Sequence, residues 1–370
     1  MKSKKKPVKV LVCMSGGVDS SVAAALLVKA GYDVTGAFMV NYDEVSSSAR
    51  EGARGSGSCW RGDYQDALRV AAKLHIPLLR LNFVREYKKA VLDYMYAEYK
   101  KGRTPNPDVL CNKFVKFGFW LKKTKELGFG YMATGHYAKL SRKLKVESRK
   151  LKDFEIKLLQ AKDDNKDQTY FLHQLNQNQL KHVMFPVGGY IKDEVRKLAD
   201  KFDLPTAKKE ESMGICFIGE VPMKEFLQKK IKTKKGKIIL NNSKEVLGEH
   251  EGIPFYTIGQ RLGLNNKPYF VVKKDAKKNI LFVGYENDEE LLKKEIEIEN
   301  VNWISGQKPK LPLKCEVRLR HRQPLQQCHC ETAGRGNLIV KFSNPQKAVT
   351  PGQFAVLYSK GVCLGGGVVK

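Results

Sequence analysis

Nowhere in this sequence does an apolar run approach the ~20 residues that a membrane-crossing helix needs. The lysine-rich opening MKSKKKPVKV passes straight into a strand-like segment with no signal-peptide core. A soluble, cytoplasmic protein with no membrane partner is expected. Cysteine is scarce, eight in 370 residues, and no two are spaced CxxC. That is too few for a disulfide scaffold, and the spacing usual for iron–sulfur ligation is missing, so intracellular thiols are expected. Acidic residues are also few. The 39 Asp and Glu stand against 67 Lys and Arg, for a net charge of +28, with a pI near 9.6. Such a surplus favours a polyanionic partner through counterion release, nucleic acid first. The competing reading is a lysine-rich surface whose charge runs are only solvated. No repeat at solenoid or propeller spacing is present.

What is present reads as two or three domains, since 370 residues exceed one ordinary core. Short apolar runs alternate with helical patterns in the first half: a strand over 8–14, a helix over 21–30 stopped by Gly31, a strand over 34–40 and a helix over 65–74. That rhythm predicts a parallel α/β sheet. Between the second strand and second helix, 44–58 is rich in Ser, Gly and Ala and reads as a surface insertion. A hairpin is expected over 139–162 and a helix over 192–202. From about Gly236 the pattern turns to short β-rich segments such as KGKIIL, NILFVGY and NLIVKF. The expected division is an α/β domain over 1–217, a small β-rich domain over 218–288 and a C-terminal β-barrel over 289–370.

VLVCMSGGVDSS places Ser15, Gly16, Gly17, Val18, Asp19 and Ser20 between a buried-type strand and a helix. Glycines let the backbone approach an anion, and the N–H groups at a helix start complete a phosphate cradle. The GK[ST] ending of the Walker loop is absent, and so is GxGxxG. SGGVDS resembles the PP-loop of ATP pyrophosphatases, which release pyrophosphate while adenylating an acceptor. ATP follows as the expected nucleotide. A carboxylate beside bound phosphates needs Mg²⁺ to offset the charge, which places Asp19 near that ion, although no ligand set is readable. Met39 and Gly135 fall at carboxyl ends of strands, where open parallel sheets bind ligands.

Two cysteines stand apart. TPNPDVLCNKFVKF stiffens a loop with Pro105 and Pro107 and then starts a helix, with Asp108 suited to its N-cap and Cys111 to its third position. Helix-start N–H groups, with Lys113 and Lys116, favour a thiolate at Cys111, a candidate nucleophile, while Asp108 is a candidate acid or base. A capped helix with an inert buried cysteine is the alternative. Cys216 lies in KKEESMGICFIG between Gly214 and Gly219, small neighbours that permit the approach a persulfide-bearing thiol requires. It too reads equally as a buried structural residue. Cys13, Cys315 and Cys363 sit in strand-like runs and read as core. Cys59 borders the insertion and has no partner at ligand spacing. Cys328 and Cys330 flank His329, but without a second pair at ligand spacing they also read as core.

SGGVDSS, GRTPNPDVLCNKFVKF, ATGHYA, KDQTYFL, FPVGG, ESMGICFIGE, YTIGQRLGL, PGQFAVLY and CLGGG occur together in this order. The chain resembles the tRNA-specific 2-thiouridylases over nearly its full length. The resemblance implies that Cys111 is the nucleophile and Cys216 the persulfide carrier, with ATP contacts from Cys13, Met14, Ser15, Gly16, Gly17, Val18, Asp19, Ser20, Met39 and Gly135. It implies target-base contacts from Asn106, Pro107 and Asp108. Further tRNA contacts are implied for His136, Lys166, Asp167, Gln168, Arg320, His321 and Gln353. Its partners would be tRNA and a protein donor of persulfide sulfur. The departure from the family is the Ser/Gly-rich insertion, where an acidic, Trp-containing loop is common. Other readings are an adenylating ligase for a small molecule and a non-catalytic RNA-binding protein; the intact SGGVDS and both cysteines argue against the latter.

Overall fold

The computed structural model describes residues 7–42, 60–147, 150–211, 222–334 and 336–370. The insertion expected over 44–58, together with Cys59 and Cys216, falls outside them. KVLVC becomes strand β1 (Lys9–Cys13), four of its five residues buried. Strands are numbered along the chain. β1 pairs in parallel with β2 (Asp33–Val40) on one side and β4 (Tyr131–Ala133) on the other. β3 (Leu78–Asn82) lies beyond β2 and β7 (Val183–Met184) beyond β4, also parallel. Alternation along β1 separates two apolar layers. Val10 and Val12 pack with α1 (Val18–Lys29) and α2 (Trp60–Lys73). Leu11 and Cys13 pack with the helices that run from Val84 to Glu126.

Both expected helices start earlier than their patterns suggest. α1 begins at Val18 because Gly17 takes the N-cap, so the loop runs into the helix without a spacer. α2, described from Trp60, carries Trp60 and Tyr64 one turn apart, and both pack on Phe38 of β2.

The middle of the chain forms a five-stranded sheet, order β10-β11-β12-β8-β9, from β8 (Gly236–Leu240), β9 (Val246–His250), β10 (Arg261–Leu264), β11 (Lys267–Asp275) and β12 (Ile280–Gly284). Its inward residues, among them Ile238, Val271, Leu281 and Val283, form a separate small core. Six further strands follow: β13 (Leu292–Trp303), β14 (Leu313–Arg318), β15 (Gln326–Gly334), β16 (Asn337–Lys347), β17 (Phe354–Ser359) and β18 (Val362–Val369). Pairing of β13 with β18 closes them into a barrel. The hairpin expected over 139–162 exists as β5 (Lys139–Glu147) and β6 (Lys150–Leu159), but its outer partner is the barrel: Leu159 and Leu158 pair with Val362 and Cys363 of β18. Among the described residues no helix is long and apolar enough to cross a membrane.

The segment KDQTYFLHQL, residues 166–175, joins the α/β part to the barrel. Arg318 at the end of β14 pairs with Asp167 at 2.9 Å, both nearly excluded from solvent. Tyr170 Oη donates to the carbonyls of Phe354 and Leu319 at 3.1 and 3.2 Å. Asn302 Nδ2 donates to the carbonyls of His173 and Leu175 at 2.8 and 3.0 Å. These bonds tie the barrel to the sheet across a buried junction, although Arg318 Nε and His173 Nε2 are buried there without a hydrogen-bond partner.

Candidate active site at the head of the parallel sheet

β1 lies between β2 and β4, so the chain leaves β1 in one direction and later returns to its other side. At this switch point the carboxyl ends of the strands open a crevice. The residues after β1 form the glycine-containing loop. Gly16 has φ of +76°, the left-handed region, and a Cβ there would lie 2.2 Å from the Asp63 carbonyl of α2, so glycine is required on both counts. Ser20 and Ser21 donate their hydroxyls to the Gly17 carbonyl at 3.0 and 2.8 Å, while Ser15 N donates to Ser20 Oγ at 3.2 Å. The N-cap, Gly17, offers no side chain, and first-turn N–H groups of α1 are left for an anion.

Gly135, just past β4, rests against this loop. A Cβ on it would come within 2.7 Å of Ser20 N and 2.8 Å of the Asp19 carbonyl carbon. Met39, near the end of β2, is buried in the same apolar cluster as Cys13 and Cys111. Burial pushes the Cys13 thiol up to about 12, against an opposing pull from Lys116, so it stays protonated and serves as core.

Asp19 is not isolated. Lys192, first residue of the helix Lys192–Lys201, donates to both of its carboxylate oxygens at 2.7 and 2.9 Å, and Tyr137 donates its hydroxyl at 2.8 Å. Lys192 also pairs with Glu211 at 3.1 Å, and Lys166 pairs with the other oxygen of Glu211. Burial by itself would raise Glu211, but hydrogen bonds from the two ammonium groups prevail and hold it at about 2. Burial first, then Asp19, drives the Tyr137 hydroxyl well above its ordinary range, so it acts as a donor. Two lysines and two carboxylates thus form a charge-balanced chain from the loop to Glu211.

Lys192 and Tyr137 escape the sequence reading. Lys192 is one of 67 Lys and Arg, and Tyr137 follows the conspicuous Gly135–His136 pair without a signature of its own. Lys166, expected at tRNA, here pairs with Glu211.

The TPNPDVLC segment departs from its expected capping. The N-cap is Asn106, whose Oδ1 accepts from Val109 N at 3.2 Å, with Pro107 in the first turn. Asparagine caps well and proline starts helices well, so the pair overrides Asp108. Cys111 consequently lies beyond the first turn, at the start of a wide π-helical stretch, Cys111–Trp120, where the helix-start effect on its thiol has faded. Its side chain is 1% exposed.

The barrel holds this loop. Thr104 N donates to the Pro351 carbonyl at 2.9 Å, and Gln353 Nε2 to the Thr104 carbonyl at 2.8 Å. Asn106 Nδ2 reaches Gln353 Oε1 at 3.4 Å. Asn106, Pro107, Asp108, Cys111 and Gln353 are therefore brought into one neighbourhood.

The remaining candidates form a second group. His136 is buried, with Nδ1 at 2.8 Å from Thr134 Oγ1 and its ring against Phe117; burial and then Lys116 keep it well below the usual imidazole range, hence neutral. Gln168 Oε1 accepts from Tyr137 N at 2.9 Å. His321 lies against Phe171, ring centroids 4.5 Å apart, with Nε2 at 3.1 Å from the Asp167 carbonyl. The guanidinium of Arg320 donates to the Ala348 carbonyl at 2.9 Å. Asp167 itself is 1% exposed and committed to Arg318.

Three family models cover the chain: a tRNA methyl transferase HUP domain matches residues 8–220, a tRNA methyl transferase PRC-barrel domain matches 224–285, and an aminomethyltransferase beta-barrel domain matches 293–369. The tRNA-specific 2-thiouridylase MnmA of Geobacillus thermodenitrificans is 45% identical over 368 residues, spanning 98% of this chain and 94% of that protein. The protein of the same name from Francisella tularensis subsp. novicida is 43% identical over 370 residues, spanning 98% and 99%. That from Listeria innocua is 44% identical over 376 residues, spanning 100% and 96%. With a glycine loop at the switch point of the parallel sheet and this identity from end to end, the chain belongs to the tRNA-specific 2-thiouridylase family.

Proposed function

We infer that the protein is a tRNA-uridine 2-sulfurtransferase that adenylates the C2 oxygen of a wobble uridine with ATP and replaces that oxygen by sulfur. This reading is supported by the glycine loop that follows β1 and by the buried Cys111, which belongs to the same apolar layer of the sheet as Cys13 and Met39. ATP phosphates would lie over Ser15 to Ser20. Asp19, with the Ser15 and Ser20 hydroxyls beside it, offers the hard oxygen donors that Mg²⁺ prefers, and the ion would neutralise the departing pyrophosphate. To take up that role Asp19 must exchange Lys192, which is then free to meet phosphate.

A flipped-out base would enter between the Asn106–Asp108 turn and the loop, and its C2 oxygen would attack the α-phosphorus as pyrophosphate leaves. Cys216, five residues after Glu211 in the sequence, would carry a terminal sulfur accepted from a donor protein. In one route that sulfur attacks C2, AMP leaves, and the Cys111 thiolate then attacks Cys216 Sγ, freeing the thiocarbonyl. In the other, Cys111 attacks first and the released hydrosulfide attacks C2. Both end in 2-thiouridine, AMP and a Cys111–Cys216 disulfide that a dithiol must reduce. The basic surface would supply the sequence-independent part of tRNA binding.

Incubation with ATP, Mg²⁺, a persulfide source and unmodified tRNA should yield 2-thiouridine, read by mass spectrometry of the digested tRNA. Pyrophosphate released on adding an amino acid, with none on adding tRNA, would transfer the chain to the ligase reading.

Gly135→Ala should weaken ATP binding roughly 10- to 100-fold, because a methyl group there overpacks the loop backbone by about 1–3 kcal/mol. Calorimetric titration with a non-hydrolysable ATP analogue checks it; unchanged affinity would mean that the loop has room to shift.

A further inference from the structure

Three cysteines far from the glycine loop converge inside the C-terminal barrel. In the antiparallel pairing of β14 and β15, Cys315 stands opposite Cys328 and Leu313 opposite Cys330. Cross-strand partners share a face and so do residues two apart, so all three thiols point inward. His329, between two of them, points outward and lies 3.3 Å from Glu331. The sequence reading sets Cys328 and Cys330 aside for want of a further ligand; strand pairing supplies one from across the sheet.

Cys315 Sγ is 3.6 Å from Sγ of both Cys328 and Cys330, and all three sulfurs lie within 4.8 Å of one another. The residues are 6%, 6% and 0% exposed, among Val317, Leu338, Val340 and Leu357. Among the described residues no other three His, Cys, Asp or Glu side chains converge in this way. Isolated buried cysteines behave as small hydrophobes, but three in mutual contact are a donor set. A cation bound at about 2.3 Å by three sulfurs spaces them about 3.8–4.0 Å apart, so the two 3.6 Å separations from Cys315 need adjustments of only a few tenths of an ångström.

We propose that Cys315, Cys328 and Cys330 form a three-thiolate site for a thiophilic d¹⁰ cation, Zn²⁺ or Cu⁺, that clasps β14 to β15 inside the barrel. The all-sulfur, apolar surroundings select against Mg²⁺ and Ca²⁺, which require oxygen donors. Each thiol that ligates gives its proton to solvent, so uptake strengthens as pH rises.

The test uses the full-length Cys111→Ser, Cys216→Ser protein, which removes the two thiols assigned to the reaction, reduced and stripped of metal. Titration with Zn²⁺ and, anaerobically, with Cu⁺ should each be followed to saturation, with Co²⁺ as the optical probe of thiolate ligation. The expected result is one equivalent of at least one of the two ions, a thiolate-to-cobalt charge-transfer band, and loss of both when Cys328→Ala is added. The arm that saturates at lower free ion identifies the metal. Absence of saturable uptake in both arms, uptake unchanged by Cys328→Ala, or a Cys315–Cys328 disulfide in protein kept under reductant would overturn the proposal. Should Cys328→Ala fail to fold, X-ray absorption of the metal-loaded parent decides: three sulfur neighbours support the site, and a mainly oxygen or nitrogen shell refutes it.

Discussion

Serine at Cys111 or at Cys216 is expected to reduce 2-thiouridine formation to background while ATP binding survives. Neither hydroxyl can carry a sulfane sulfur, and neither ionises near neutral pH, so each replacement removes a covalent step for which the chain has no substitute. The glycine loop that would bind ATP belongs to other residues, Ser15 to Ser20 and Gly135, and so should persist. Cys111 is buried, and a hydroxyl in its place costs about 1–3 kcal/mol if left without a partner. Cys111→Ala, which introduces no polar group, is therefore the companion variant, and ATP affinity serves as the control for folding. Normal thiolation by either serine variant would eliminate the dithiol mechanism. Thiolation lost together with ATP binding in both Cys111 variants would assign that residue to the core alone.

The largest expected effect on stability is at the junction between sheet and barrel. Asp167→Ala leaves the Arg318 guanidinium buried without its counter-charge, and removing one partner of a buried pair costs about 3–5 kcal/mol. The same carboxylate accepts from Thr169 Oγ1 at 2.8 Å and from Ala161 N at 3.2 Å, so those groups lose a partner too. The melting temperature should fall by on the order of 10 °C, measured by circular dichroism. Asp167→Asn combined with Arg318→Met removes both charges and should recover most of the loss, since desolvation offsets much of the attraction in such a pair. A drop of less than about 1 kcal/mol in Asp167→Ala would mean that the junction stands without this pair.

The glycine loop was legible because its chemistry is local: strand, turn and helix start are contiguous, and the glycines, serines and aspartate lie within six positions. The two cysteines were legible as motifs, and of the two only Cys111 falls within the described residues. The cap before Cys111 lies two residues upstream of Asp108, since Asn106 and Pro107 together outcompete it. Three features escaped because they depend on pairings between distant segments. Lys192 meets Asp19 across 173 positions, β6 meets β18 across about 200, and Cys315 joins Cys328 and Cys330 only through sheet register. Each partner looks ordinary in its own stretch of chain. Asp167 shows the same limit: the resemblance implies a tRNA contact there, while the structure buries it against Arg318, 151 positions away.

The hydrogen bonds between Leu159 and Val362 carry a temporal consequence for synthesis. A ribosome completes β6 long before it reaches the strand that covers it. Until the final residues emerge, the backbone groups of that edge must be met by water or by a transient companion, an exposure that invites wrong pairing. The hairpin of β5 and β6 therefore gains its last partner only with β18, so a premature stop before β18 should leave the edge of β6 open as well as the barrel.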